Sequence, residues 1–295
     1  MFIIKNKWIF ITIAAILSVA AVVVISVKGL NLGIEFTGGS VVEVSYEEAP
    51  ELSEMNAALA GFDFNALVQP FGDNGYIVRT RELTEADRGV LLAAIEMGEQ
   101  VPQLERFNTI GPTIGSELRS KALLSIILVA LAIILFIAFA FRKVAEPVSS
   151  WKYGVIAVIA LAHDVLIPLG IFALVGKEAT TLLVVGLLSI IGLSVNDTIV
   201  VFDRTRENLN DNQSNGNKES FAQTVGRAIM QTMARSINTS LTLIAVLAAL
   251  LVFGPAATKD LAFILLLGTF FGTYSSIFLA SPLLVAWNKK KDTEE

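Results

Sequence analysis

The chain of 295 residues is 54% hydrophobic and only 17% charged, with a formal net charge of −5. So apolar a composition exceeds what one aqueous core can bury. Having no cysteine excludes disulfides, thiol catalysis and thiolate zinc or iron–sulfur sites, and a single histidine excludes a multi-histidine metal site.

Runs long enough to cross about 30 Å of hydrocarbon as helix, roughly 20 residues each, fall at residues 8–27, 122–141, 153–175, 182–202, 237–253 and 261–287. Six transmembrane helices are therefore expected. Ser18-Val19-Ala20 is a passable signal-peptidase site, but the apolar run continues to Val27 and outlasts a typical signal h-region, so the first span reads as an uncleaved anchor. Lys5, Lys7, Arg142, Lys143, Lys152, the connection 204–235 and Lys289, Lys290 and Lys291 gather on one side, while the opposite short loops hold only Lys177 and Lys259. The positive-inside rule makes the basic side cytoplasmic and puts both termini there. The expected organisation is residues 1–29 as the first helix with its cytoplasmic N-terminus, 30–118 as a water-facing domain, 119–288 as helices two to six, and 289–295 as a cytoplasmic tail.

Residues 30–118 carry fifteen acidic and four basic side chains, a formal charge of −11. Alternation predicts a strand at 40–46, a short helix at 52–60, and strands at 66–71 and 76–81 around a Gly72-Asp73-Asn74-Gly75 turn. A capping box from Thr84 to Asp87 opens a helix to about Met97, and a last strand near 104–110 leads to Gly111-Pro112. The order β-α-β-β-α-β is that of an extracytoplasmic ferredoxin-like α+β domain. Its scattered acids, with no nucleophile beside a base, read as a solvated surface and not as a catalytic centre. Beyond the fourth span, the Asn-, Asp-, Ser- and Gly-rich stretch 208–217 reads as a flexible loop, and 219–234 as an amphipathic helix on the membrane surface.

An ionisable side chain inside hydrocarbon is expensive and marks function by default, about 2.5–3.5 kcal/mol for Asp at a helix centre on translocon scales. Asp197 in the fourth span and Asp164 in the third, directly after the sole histidine His163, qualify. Asp197 lies five residues from the end of its span at Phe202, about 7 Å deep at the helical rise. Arg235 sits near that level before the fifth span, so the two can meet if their helices are neighbours, an arrangement suited to a reversible proton carrier. The alternative is that Asp197 ties helices together and Arg235 only snorkels. Ser189, Gly192 and Asn196, with Arg235, Thr239 and Thr242, form polar stripes on the two helices; His163, Asp164 and Thr239 read either as helix packing or as a relay. Asp203, Arg204, Arg206 and Glu207 suit topology and capping at a helix end. Gly268, Gly272, Ser276 and Ala280 form a small-residue ridge for close packing, its partner left open. Gly38 and Gly39, with Gly111 and Gly115, mark the junctions between the domain and its flanking helices.

The run Gly192-Leu193-Ser194-Val195-Asn196-Asp197-Thr198-Ile199-Val200-Val201-Phe202-Asp203-Arg204-Thr205-Arg206-Glu207 resembles the fourth-span signature of the SecF family, within the resistance-nodulation-division superfamily. The resemblance extends to the segments 33–39 and 111–115, to Ala162-His163-Asp164, to Arg235-Ser236-Ile237-Asn238-Thr239-Ser240 and to the end of the sixth span, and so covers almost the whole chain; Glu35 stands where the family often has Asp. It implies a subunit of the bacterial Sec export machinery in the cytoplasmic (inner) membrane, not an enzyme and without cofactor or metal. In it Asp197 is the proton-responsive acid, aided by Asn196, and Arg235 its charge partner. It also implies SecD as heterodimer partner, the SecYEG channel and the YidC insertase as contacts, an unfolded polypeptide as cargo, and no nucleic acid. Glycine-bearing junctions at Gly38, Gly39, Gly111 and Gly115 act on this reading as hinges. The alternatives are a small-molecule or lipid exporter half of the same superfamily, and a non-energised scaffold for SecYEG or YidC.

Overall fold

A computed structural model describes residues 2–98, 100–140, 148–217 and 219–288. Phe141, Arg142, Lys143, Lys289, Lys290, Lys291 and the expected tail lie outside the described residues. The chain divides into a helical unit, Met1–Asn31 with Ser125–Glu295, and an inserted unit, Leu32–Leu124.

In the inserted unit β1 (Gly39–Ser45), α2 (Leu52–Leu59), β2 (Leu67–Phe71), β3 (Gly75–Thr80), α3 (Glu85–Ala94) and β4 (Gln103–Ile110) follow in the expected order, after a first membrane helix α1 (Lys7–Lys28). The four strands form one antiparallel sheet in the order β2-β3-β1-β4. Alternation decides which face is covered: Val42 opposite Val78 and Val44 opposite Tyr76 point inward and meet Met55, Leu59, Leu91 and Ile95. On the other face Arg106 pairs with Glu43 at 3.4 Å and Arg79 donates to Gln69 at 2.9 Å. The Thr84–Asp87 capping box is present in both directions. A second opens α2, with Glu51 and Glu54 as its members.

Tyr46 closes this core from below, its hydroxyl donating to Ile95 O at 3.0 Å. Burial, with the neighbouring Tyr76 second, pushes its hydroxyl up to about 12. The folded unit thus keeps a proton that the unfolded chain releases near pH 10. Its stabilisation is whole below that value and is lost as pH rises toward about 12. Hydrogen exchange of the β1 and α3 amides across this range is expected to show the loss. Tyr46→Phe should flatten that dependence at a cost of about 1 kcal/mol for the missing hydrogen bond; an unchanged profile would assign the loss to other groups.

Gly39 has φ +124 and a Cβ there would lie 2.5 Å from Thr80 O, so only glycine fits where β1 starts. Gly38 (φ +76) approaches Pro112 so closely that a Cβ would reach its Cα at 2.7 Å, and a Cβ on Gly115 would reach Gly38 N at 2.8 Å. The entry and exit of the inserted unit are therefore in backbone contact. Gly111 is different, since its Cβ would meet only the Glu82 carboxylate at 3.5 Å.

Among the described residues six helices are long and apolar enough to cross a membrane. After α1 come α4 (Pro112–Ala140), α5 (Ser150–Val175), α6 (Thr181–Ser214) and α7 (Phe221–Phe253). The sixth span joins α8 (Ala256–Ser275), a π-helical turn (Ser276–Ala280) and α9 (Ser281–Trp287). Helix α5 is the most buried, whereas α1 and α4 turn most of their surface outward, as lipid-facing helices do.

Two sequence expectations need correction. The stretch read as a flexible loop is helical up to Ser214, and the segment read as a separate surface helix is the first part of the continuous α7. The polar side chains that mimic a loop signal are spent inside a helical hairpin. Asn212 donates to Thr224 Oγ1 at 2.9 Å and accepts from Arg227 at 2.9 Å, Asn208 donates to Gln231 at 2.9 Å, and a Ser220–Gln223 capping box opens α7.

Candidate functional site

Small residues let α8 approach α6. A Cβ on Gly268 would run into Ile190, one on Gly272 would come within 3.1 Å of Ser194 Cβ, and Ser276 Oγ lies 3.0 Å from Thr198 Oγ1. The ridge of small residues thus meets a helix of the same chain over three of its four positions. Beside this contact α7 packs on both helices, and the three enclose a cavity of about 110 Å³. Asn196 and Asp197 from α6, Arg235, Ser236, Thr239 and Ser240 from α7, and Thr269 and Thr273 from α8 are in its lining.

Asp197 is half-buried there, and Ser240 donates to its Oδ2 at a long 3.4 Å. Thr273 Oγ1 in turn donates to Ser240 Oγ at 2.6 Å. Hydroxyls from two helices thus lead to one carboxylate. The expected meeting of Asp197 with Arg235 takes a looser form: Arg235 is exposed and lines the same cavity, yet among the described residues no ion pair joins the two. Ser240, one turn deeper on α7 and buried, reaches the carboxylate instead. Asn196 and Thr239 are exposed, and the Thr239 hydroxyl turns back to Arg235 O at 2.8 Å. Ser189 and Thr242 bond backbone carbonyls of their own helices. The residues the stripes missed are Ser236 and Ser240, and Thr269 and Thr273, each pair one helical turn apart. That spacing is the signal that could have found them.

His163 and Asp164 are buried deeper in the bundle, 3% and 0% exposed. His163 Nδ1 lies 2.8 Å from Asp164 Oδ1, while Asp164 Oδ2 accepts from Ser194 of α6 and, at 2.7 Å, from Ser275 of α8. Tyr274 stacks on the imidazole with ring centroids 6.0 Å apart. Three helices therefore converge on Asp164, and Ser194 belongs also to the lining of the Asp197 cavity. Among the described residues no group of acidic, histidine or cysteine side chains is arranged to hold a metal ion.

Residues 93–290 match the model of the protein export membrane protein SecD/SecF, C-terminal, family, and residues 23–50 match that of the SecD/SecF GG motif. The chain belongs to the SecD/SecF family. Its GG motif match holds the Gly38-Gly39 pair whose tight backbone packing is described above. Among SecD/SecF relatives, the protein translocase subunit SecF of Thermobaculum terrenum is 40% identical over 98% of this chain and 94% of its own length. The protein translocase subunit SecDF of Thermus thermophilus is 34% identical over 97% of this chain but only 38% of its own length. The crystal structure of SecDF from Thermus thermophilus, described as a translocon-associated membrane protein, superposes with a TM-score of 0.85 at 32% identity, covering 97% of this chain and 38% of that one. A SecDF structure in a super-membrane-facing form gives a TM-score of 0.67 at 33% identity over 94% of this chain and 37% of that one.

Proposed function

We propose that this chain is a SecF-type subunit of the Sec export machinery that works with SecD to draw on the proton gradient in late translocation of polypeptides through SecYEG. The observation carrying the reading is Asp197: a carboxylate within an apolar span, half-buried in a polar cavity that is roomy enough for water. Protonation there alters what α7 and α8 hydroxyls bond, and so the packing of three helices. Arg235, with Asn196 and Thr239 beside it, shares the cavity and supplies the countercharge. That the Thermus thermophilus relative is a SecDF more than twice as long supports a partnership in which SecD contributes the remaining half.

On this reading the basic side of the bundle and both termini are cytoplasmic, and the chain is not an enzyme. The inserted unit is an extracytoplasmic ferredoxin-like domain, whose strand order β2-β3-β1-β4 and β-α-β-β-α-β succession fit that fold. Gly38, Gly39, Gly111 and Gly115 serve as one joint between the domain and its two flanking helices, because Gly38 and Gly115 touch. The exporter alternative finds no support at the acid: a drug-sized ligand needs about 300–1,000 Å³, the cavity at Asp197 offers about 110 Å³, and the larger one of about 310 Å³ beside α7 and α8 is lined mainly by apolar side chains and does not include Asp197.

Export into vesicles containing this chain, SecD and SecYEG, with and without an imposed proton gradient, tests the proposal. Stimulation by the gradient that needs this chain supports it; equal export in both conditions favours the scaffold alternative. In the same assay Arg235→Ala is expected to remove most of the stimulation and Arg235→Lys to restore part of it, since an ammonium keeps the charge without the planar fork. Full stimulation in Arg235→Ala would make the arginine a topology residue only.

A further inference from the structure

Asp197 is not the only carboxylate placed to hold a proton. We propose that His163 and Asp164 form a second proton-holding site, reached from the Asp197 cavity through Ser194, and that Ser275 transmits its state to the π-helical turn of the sixth span. The proposal rests on the proton-coupled reading above.

The geometry assigns the resting state. Both Asp164 oxygens are occupied, Oδ1 by His163 Nδ1 and Oδ2 by the Ser194 and Ser275 hydroxyls. Among the described residues His163 Nε2 is buried and has no hydrogen-bond partner. An unfilled lone pair is tolerated more readily than a buried, unpaired N–H, so a proton on Nδ1 suits the arrangement, and Asp164 then accepts from all three neighbours. In that form the pair carries one negative charge held by hydrogen bonds. A merely structural tie between helices needs neither that charge nor an unpartnered ring nitrogen beside it.

Proton uptake balances simply. Ser194 passes its hydroxyl proton to Asp164 Oδ2 and accepts one from the cavity that Asp197 lines, so serine is unchanged and the pair goes from one negative charge to none. Ser275 stands between two acceptors, Asp164 Oδ2 at 2.7 Å and Gly272 O at 3.1 Å. When Oδ2 gains its proton, the hydroxyl turns to Gly272 O and the tie from α5 to α8 is released. That tie sits where α8 passes into the turn Ser276–Ala280, and such π turns recur at functional positions. Among the described residues the ionisable groups facing the pair are few. Tyr274 stacks on His163 from α8, its hydroxyl also unpartnered; Asp197 of α6 and Arg235 of α7 lie across Ser194; α1 has ionisable residues only at its ends, Lys7 and Lys28; α9 has none.

The test is infrared difference spectroscopy of the full chain with SecD in lipid vesicles, titrated with pH, following protonated-carboxyl bands. Besides the bands of the solvent-exposed acids, two titrating bands are expected, one lost in Asp164→Asn and the other in Asp197→Asn. Asp164→Asn should also move the midpoint of the Asp197 band by about one pH unit, as coupled sites do. Ser194→Ala and Ser275→Ala keep both acids and should shift the frequency of the Asp164 band; they carry the test if Asp164→Asn fails to fold. A titrating Asp197 band alone, or a band untouched by both serine variants, would overturn this inference and leave the proton-coupled reading standing. Loss of no titrating band in either Asn variant would sink both.

Discussion

Asp197→Asn is expected to leave the complex assembled and to reduce export in the presence of a proton gradient to the level seen without one. The amide oxygen can still accept from Ser240, so the fold should lose no more than about 1 kcal/mol. What the amide cannot do is titrate, and the half-buried position on α6 has no other ionisable side chain within one helical turn toward the centre of the span. The measurement is the initial rate of polypeptide entry into vesicles with an imposed gradient, wild type against variant, alongside co-purification with SecD. Retained stimulation with Asn at this position would remove the proton-carrier reading and leave Asp197 as a tie between helices. Asp197→Glu is the companion variant, since it keeps the titration and tests geometry alone.

The second large effect belongs to the glycine joint. Gly115→Val would drive two γ-carbons into the backbone at Phe36 and Gly38, where a Cβ alone already lies 2.8 Å from Gly38 N. Backbone cannot move aside as a flexible side chain does, so a cost of roughly 1–3 kcal/mol or more is expected. The variant should fall in abundance and become protease-sensitive within the inserted unit. Gly111→Ala, whose added carbon makes only ordinary contact with Glu82, should behave as wild type in the same limited-proteolysis assay. Equal tolerance at the two positions would show that the packed joint is not what holds the ends of this unit together.

The contrast between these glycines is invisible in the chain's pattern, where both lie beside a proline-marked turn. Only the structure reveals that one faces backbone and the other a side chain. Other features were legible. Period-two alternation placed all four strands to within a residue or two, and Thr84 with Asp87 marked the start of α3, because these signals are local. The hairpin of α6 and α7 was not, since Asn208 and Asn212 read as loop residues until their partners Gln231 and Thr224 are brought opposite by folding. Asp197 stood out as a charge in an apolar run. Ser194 and Ser275 did not, as serine is unremarkable in a membrane helix until a carboxylate from a third helix claims it.

The hairpin has a mechanical consequence. Helix α6 has 34 residues and α7 has 33, each about 50 Å at the helical rise, some 20 Å more than hydrocarbon requires. The surplus of α6 beyond Asp197 is braced to α7 by the Asn208, Asn212 and Arg227 bonds, so it bends as one beam and not as two strings. Asn212 stands fifteen residues from Asp197. A tilt of about 5° pivoting at the carboxylate therefore sweeps the beam's tip through about 2 Å at the helical rise. A small repacking around one acid would thus be read as a displacement of about 2 Å at the tip of the beam.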